Sequence, residues 1–273
     1  MNRRLQLLGQ SIRRGTTGGG FSDWLLNCLS PPCGVLARRL ISRCEVVGCF
    51  REFEIRGFAG VLYVDPSISL RSFHQTLAEQ GYAWQWHYYQ VPQTRVTPAD
   101  FVIDCGSAEG LFPFLTRSVA SGIVCFEPLP EFVRGLKRTF GADTNVRIVS
   151  SALGERAGRA FLGRSDISSS ITLETTDTPV EVDTIDAYCE RTGFPVSYLK
   201  ADMEGYEMRL LRGASRTIAR LRPKIAVTTY HEPGHAEEIA EFLRSLVPTY
   251  RFRTKGIESK TGVPVMLHAW SAP

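Results

Sequence analysis

From about residue 99 onward, short apolar runs alternate with amphipathic stretches. FVIDCG, GIVCFEP, NVRIVSSALG, YLKADMEG and PKIAVTTYH each place four to seven apolar or β-branched residues ahead of a Gly, acidic or polar break. PEFVRGLKRTF and EMRLLRGASRTIARL, with apolar positions at helical spacing, separate several of them. Buried strands alternating with helices predict a parallel sheet covered on both faces. TYRFRT and VPVMLHAWS leave no room between them for a helix, so they predict an antiparallel pair at the sheet edge.

The first 98 residues follow another pattern. GTTGGG at 15–20 reads as a link, and SPPCG at 30–34 breaks the helix begun by FSDWLLNCL. FREFEIRGFAGVLYVD, with Gly57 and Gly60, predicts a hairpin. SISLRSFHQTLAEQG places Leu70, Phe73 and Leu77 at helical spacing and stops at Gly81. WQWHYYQV, in which Trp84, Trp86, Tyr88 and Tyr89 alternate, is expected as an aromatic strand packed in a core. The expected organisation is a basic, partly flexible extension at 1–50, a cap of hairpin, helix and aromatic strand at 51–98, and a ligand-binding domain at 99–273.

Composition narrows the class. The 273 residues are 43% hydrophobic and 22% charged, as in an ordinary globular protein. Residues 1–56 hold nine Arg against four acidic residues, so the remainder is close to neutral. A neutral body argues against duplex nucleic acid, whose groove needs a basic stripe. The basic front end is the segment expected to make weak contact with a protein or an anionic membrane surface. No apolar run is long enough to span a bilayer and no signal-like segment stands at the front, so the chain is expected in the cytoplasm, at most peripheral to a membrane. Seven cysteines, two of them (Cys105 and Cys125) inside strand-like runs, fit free thiols in a reducing compartment. The two C-x4-C pairs among Cys28, Cys33, Cys44 and Cys49 lack the spacing usual for zinc.

Ligands of open parallel sheets bind beyond the carboxyl ends of the strands. The first such end reads Asp104-Cys105-Gly106-Ser107-Ala108-Glu109-Gly110. Gly106 suits a tight turn with close ligand approach, and Gly110 lets the next helix pack on the strand. D-x-G-x-x-x-G is not the G-x-G-x-x-G that aims backbone N–H groups at a pyrophosphate, which counts against a nicotinamide oxidoreductase. S-adenosylmethionine (SAM) carries a sulfonium cation and no phosphate, so an acidic strand end is useful to it. Glu127 closes the second strand 21 residues after Gly106, where a carboxylate can accept both ribose hydroxyls. Ser150, Ser151 and Ala152 offer small residues at the third strand end for an adenine.

The fourth run continues as Lys200-Ala201-Asp202-Met203-Glu204-Gly205-Tyr206-Glu207. Lys200, Asp202 and Glu204 share one face if the strand extends that far, and ionisable groups so placed either pair with one another or take part in chemistry. VIDCGSAEG, CFEPLPE, SSALGE, VDTIDAY, LKADMEGYEMRLLRGA and PKIAVTTYH together resemble the FkbM-type methyltransferases over about residues 100–231. The resemblance implies a Rossmann-type SAM-binding domain: a mostly parallel seven-stranded sheet with a C-terminal antiparallel hairpin, preceded here by a small N-terminal α/β extension. It implies methylation of hydroxyl oxygens on sugars, glycans or secondary metabolites. It also implies that Asp104, Gly106, Gly110 and Glu127, with Ser107, Ser151 and Ala152 beside them, hold SAM, and that Asp202, Glu204 and His231, with Lys200, stand at the reaction end. The first loop departs from many members, which carry Asn in place of Glu109, and residues 1–60 match no family pattern.

A hydroxyl nucleophile benefits from a base, and His231 after the fifth strand or Asp202 could take its proton. His231, Glu232 and His235 form an H-E-P-G-H run, but Pro233 and Gly234 oppose the helix that a zincin needs, so no metal is expected. The other reading is a non-catalytic SAM-fold protein that tethers a partner through its basic front end.

Overall fold

The computed structural model describes residues 25–271 except 27, 166, 167 and 173–177. Most of the basic front end, residues 1–24, lies outside the described residues. Helix α1 (Cys33–Leu40) leads into β1 (Ile41–Val47), β2 (Phe50–Ile55) and β3 (Leu62–Val64), followed by α2 (Leu70–Gly81). The strands form an antiparallel sheet in the order β1-β2-β3. Because β1 pairs with β2 from Ile41↔Ile55 to Val47↔Phe50, the boundary expected at residue 50 falls at the tip of a hairpin. The arginines at 38, 39 and 43 thus belong to the cap. Ser69 accepts the Ser72 N–H and starts α2.

Then come β4 (Phe101–Cys105), α3 (Leu111–Thr116), β5 (Gly122–Phe126), α4 (Pro130–Phe140), β6 (Val146–Val149) and β7 (Ala152–Leu153). Strands β8 (Gly158–Ser165), β9 (Ser168–Thr172) and β10 (Thr178–Asp183) make, with β7, a second small sheet in the order β7-β10-β8-β9. The chain closes with α5 (Ile185–Thr192), β11 (Tyr198–Ala201), α6 (Glu207–Arg212), α7 (Ser215–Leu221), β12 (Lys224–Thr228), α8 (His235–Leu246), β13 (Tyr250–Ile257) and β14 (Pro264–Ser271). The main sheet has seven strands in the order β13-β14-β12-β11-β4-β5-β6. Its pairs are parallel from β12 to β6, and β14 runs antiparallel to both β12 and β13. This is the mixed α/β sheet that the sequence pattern predicts.

Strand residues alternate between two cores, as their period of two requires. Val102, Ile123, Cys125, Tyr198 and Ala226 pack with Phe53, Phe73, Leu77 and Leu136. Ile103, Val124, Leu199, Ile225 and Val227 pack instead with Ile185, Leu211, Ile218 and Leu243. The N-terminal segment therefore covers one face of the sheet, while α5 to α8 cover the other. Phe53 stacks on Phe73 at 4.0 Å between centroids, which joins the small sheet to α2 within that core.

The aromatic stretch is not a strand: residues 82–90 turn and run irregularly. Its side chains find partners where its backbone finds no neighbouring strand. Tyr89 is 2% exposed, and its hydroxyl donates to Asp202 Oδ2 at 2.8 Å. The segment thereby brings cap residues to the carboxyl ends of β11 and β12. No helix among the described residues is long and apolar enough to cross a membrane.

Candidate functional site

The site lies where β4, β5, β11 and β12 end. Gly106 (φ +76°) and Gly110 (φ +78°) bound the turn after β4. A side chain on Gly106 would meet the backbone oxygen of Asp202, and one on Gly110 would stand 2.5 Å from Leu136 Cδ2 and 3.1 Å from Phe140 Cε2. Only glycine permits both the left-handed backbone and these approaches. The Gly106 and Ser107 amides donate to the Phe126 carbonyl at 3.2 and 3.1 Å, fastening the turn to β5.

Glu127, 4% exposed, sits at the end of β5. Its Oε2 accepts the Ala108 N–H at 2.8 Å and its Oε1 the Leu129 N–H at 3.0 Å. Ala108 is itself left-handed (φ +46°), a strained conformation that this bond helps to hold. Each Glu127 oxygen keeps a second lone pair for a ligand hydroxyl. Burial is the largest influence on Glu127; against the two amide bonds it pushes the carboxyl up to about 7.

Asp104 and Lys200 are register neighbours on β4 and β11. Lys200 Nζ lies 3.0 Å from Asp104 Oδ1 and donates to the Gly106 carbonyl at 2.7 Å. Burial opposes the ammonium most strongly, but Asp104 and Asp202 outweigh it and hold Lys200 charged. Asp104 is 0% exposed, so it supports the turn through Lys200 from beneath. Ser107 Oγ likewise donates inward, to the Asp104 carbonyl at 3.2 Å. Ser151 and Ala152 stand past the end of β6, and Ser151 Oγ is a buried hydroxyl with no hydrogen-bond partner among the described residues.

The expected common face of Lys200, Asp202 and Glu204 is not formed. Strand β11 stops at Ala201 because Glu207 turns the chain: its Oε1 accepts the amides of Met203 at 2.9 Å and Gly205 at 3.3 Å. Glu204 is consequently left-handed (φ +52°). The three side chains diverge, Lys200 to the turn after β4, Asp202 to Tyr89 and Glu204 to His231.

Asp202 also accepts the Thr228 hydroxyl at 3.3 Å. Burial opposes its charge, yet Lys200, His87 and His231 nearby, with the Tyr89 bond, hold it below the usual carboxylate range. His231 stands between two carboxylates, with Nε2 3.2 Å from Glu204 Oε2 and Nδ1 3.2 Å from Glu207 Oε1. Burial again opposes the charge; the two carboxylates, Glu204 and Glu207, overcome it and push His231 up to about 10. It is therefore an imidazolium at neutral pH, without a free lone pair for a proton. Of the two expected bases, only Asp202 is in the state to accept one.

Four participants escaped the sequence reading. Glu207 is fully buried and also accepts the Thr228 hydroxyl at 2.9 Å, yet in the sequence it looks like an ordinary first-turn helix acid. Tyr89 packs in the core as its pattern predicts, and its bond to Asp202 is what the pattern does not contain. His87 Nδ1 lies 3.2 Å from Glu79 Oε2, and its ring meets Tyr230 edge-on at 5.1 Å. Tyr230 in turn lies 4.0 Å from His231, ring centroid to ring centroid. No spacing signal links residues 79, 87 and 89 to 202 and 231; only the fold does. Asp202, Glu207 and His231 each offer a metal-ligand atom within 4.8 Å of the others, so distance alone would admit a cation. Glu207 Oε1 already serves three donors, and His231 supplies the countercharge in this arrangement.

The residues fit SAM on three observations: the glycine cradle at 106, the two spare lone pairs of Glu127 and the unpartnered Ser151 hydroxyl. Hydroxyl donors favour ionised Glu127, so affinity for S-adenosylhomocysteine (SAH) should rise about tenfold from roughly pH 6 to pH 8. Glu127→Gln should flatten that profile and weaken binding; titration calorimetry across this range gives the check.

A model of the methyltransferase FkbM domain matches residues 104–253, more than half of the chain. The chain is similar in fold to a methyltransferase FkbM from Methylobacillus flagellatus KT, with 19% identity and a TM-score of 0.51; the alignment covers 73% of this chain and 52% of that one. This chain thus spans about half the length of that protein. Aeropyrum pernix fibrillarin, solved with natively bound S-adenosyl-L-methionine, matches at 13% identity and a TM-score of 0.43, over 84% of this chain and 97% of that one. A Streptococcus thermophilus rRNA methylase matches at 9% identity and a TM-score of 0.43, over 65% and 90%. No curated protein matches the sequence.

Proposed function

The chain belongs to the FkbM methyltransferase family, whose cofactor is SAM, and from that premise we propose that it methylates a hydroxyl oxygen of a sugar, glycan or secondary metabolite. The observation that carries this reading is the placing of ionised Asp202 directly behind the Gly106 turn, with His87 and Tyr230 on its outer side. Bound SAM supplies an electrophilic methyl group on a cationic sulfur. Glu127 would hold the ribose hydroxyls and Gly106 would leave room for the methionine portion. Ser151 would offer its hydroxyl to the adenine side.

The remaining work falls to the chain's own groups. Positioning of the acceptor accounts for much of such a displacement, and Tyr230 and His87 offer the wall against which it would lie. Asp202 would take the hydroxyl proton as the methyl group passes from the sulfur of SAM to the acceptor oxygen, the methyl–sulfur bond breaking to leave neutral SAH. A carboxylate suffices because an oxygen that is gaining a methyl group becomes strongly acidic. Tyr89 and Thr228 aim Asp202, and Lys200 and His231 keep it ionised. Imidazolium His231 also fixes Glu204 and Glu207, so the turn at 202–206 keeps its shape.

Purified protein with methyl-labelled SAM and a panel of sugars, glycans and hydroxylated metabolites tests the reading. Label should enter an ether oxygen of at least one acceptor, and acceptors lacking that hydroxyl should stay unlabelled. Label on nitrogen or carbon alone would overturn O-methylation and leave family membership intact.

A further inference from the structure

A cavity of about 930 Å³ opens on the outer side of His87 and Tyr230. Its volume suits a small molecule. It lies between α1, α2, the aromatic segment and the loop joining β13 to β14, so the cap closes it from above. Its floor is aromatic, with Trp86 and Tyr230 beside His87. Its rim is basic: Arg38 projects from α1, and Arg71 and His74 stand one turn apart on α2.

The acidic side chains lining the cavity, Glu79 and Glu258, already have partners of their own. Glu79 is bonded to His87 and to Gln75 Nε2 at 3.1 Å. Glu258 accepts the amides of Lys260 and Thr261 at 2.8 and 2.7 Å within its own loop. Neither Arg38 nor Arg71 has a carboxylate partner among the described residues. Arg51, on β2, adds to the same field. Desolvation first, then the charges of Arg38 and Arg51, keep His74 below its ordinary pKa. A basic rim over an aromatic floor matches a ring whose anionic group lies away from the reacting hydroxyl. Guanidinium forks match phosphate oxygens in particular.

We propose that the acceptor is a phosphate-bearing sugar or ring polyol, its phosphate held by Arg38 and Arg71 and its ring laid on Trp86 and Tyr230 toward Asp202. This rests on the methyltransferase reading and names the substrate class of that site, which meets this cavity at His87 and Tyr230. The phosphate could belong to a soluble sugar phosphate or to a lipid headgroup, and the chemistry at the rim is the same.

The test uses the SAH-loaded full chain with glucose 1-phosphate, glucose, and phosphatidylcholine vesicles with and without phosphatidylinositol. Glucose 1-phosphate should bind at least about tenfold more tightly than glucose. The double variant Arg38→Ala/Arg71→Ala should lose that advantage, and Arg38→Lys/Arg71→Lys should recover part of it. Binding confined to phosphatidylinositol vesicles and lost in the same double variant would support the proposal with a lipid-borne source. If neither probe binds wild-type protein, if glucose binds equally well, or if the double variant binds unchanged, the proposal fails. SAH titration of the same samples keeps the two readings apart, because protein that binds SAH but no phosphate probe overturns only this inference.

Discussion

Asp202→Asn should lower kcat for methyl transfer by about 10²- to 10⁴-fold, the range for loss of a positioned general base. The substitution keeps the shape of the side chain and an oxygen for one of the Tyr89 and Thr228 hydroxyls, which bond different Asp202 oxygens, so it removes the charge at the cost of one aiming bond. SAH affinity should change little, because Asp202 meets the Gly106 turn through its backbone oxygen. KM should move less than kcat if Asp202 acts on the reacting proton. Tyr89→Phe removes one aiming bond and should cost about tenfold or less. A second effect is built into the electrostatics: Lys200, His87 and His231 all draw on the Asp202 charge, so each should lose its proton more readily in the variant. The measurement is steady-state kinetics on whichever acceptor takes up labelled methyl. Unchanged kcat with raised KM would reduce Asp202 to a positioning residue.

The sheet was legible because β4 and β5 are short, mainly apolar runs that each end just before a residue the following turn requires. Gly106 and Glu127 could be placed from spacing alone, since the chemistry of a strand end is local. The second small sheet was missed: GRAFLGRS and SSSIT are rich in Gly, Ser and Arg and carry no apolar alternation to announce a strand. The aromatic segment misled in the opposite way. Its alternation satisfies the strand pattern, but Tyr89 answers to Asp202 and Trp86 and His87 to the cavity, which no one-dimensional pattern contains. Glu204 shows the same limit at short range. Alternation put it on the face of Lys200 and Asp202, and one buried carboxylate three residues later, Glu207, ends the strand and sends it elsewhere. Protonation states were least legible of all, because a histidine's charge depends on both carboxylates at 3.2 Å and not on its own neighbours in sequence.

The pairing of Glu207 with His231 should make stability depend on pH in a definite direction. His231 is raised from 6.5 to about 10 in the folded chain, so its contribution is fully present below about pH 6.5 and is lost as pH rises toward 10. At roughly 1.4 kcal/mol per tenfold, that gap amounts to several kcal/mol. Glu207 is shifted downward by His231 and by the Met203 amide against the opposing effect of burial; its contribution is present above the ordinary carboxylate pKa and is lost as pH falls through the lowered value. The pair is therefore strongest between about pH 5 and 6.5, where both groups contribute in full. Glu207→Gln should lower the His231 pKa, with Glu204 still beside it, and should cost about 3–5 kcal/mol, since it breaks a buried pair. Denaturant unfolding of both proteins from pH 5 to pH 9, with an NMR titration of the His231 ring, reads both effects. Wild-type protein should lose stability above pH 6.5 and the variant should lose much less. A wild-type His231 that titrates near 6.5 would remove the fixed imidazolium and return this residue to candidacy as the base, with a pH–rate profile that rises through that value.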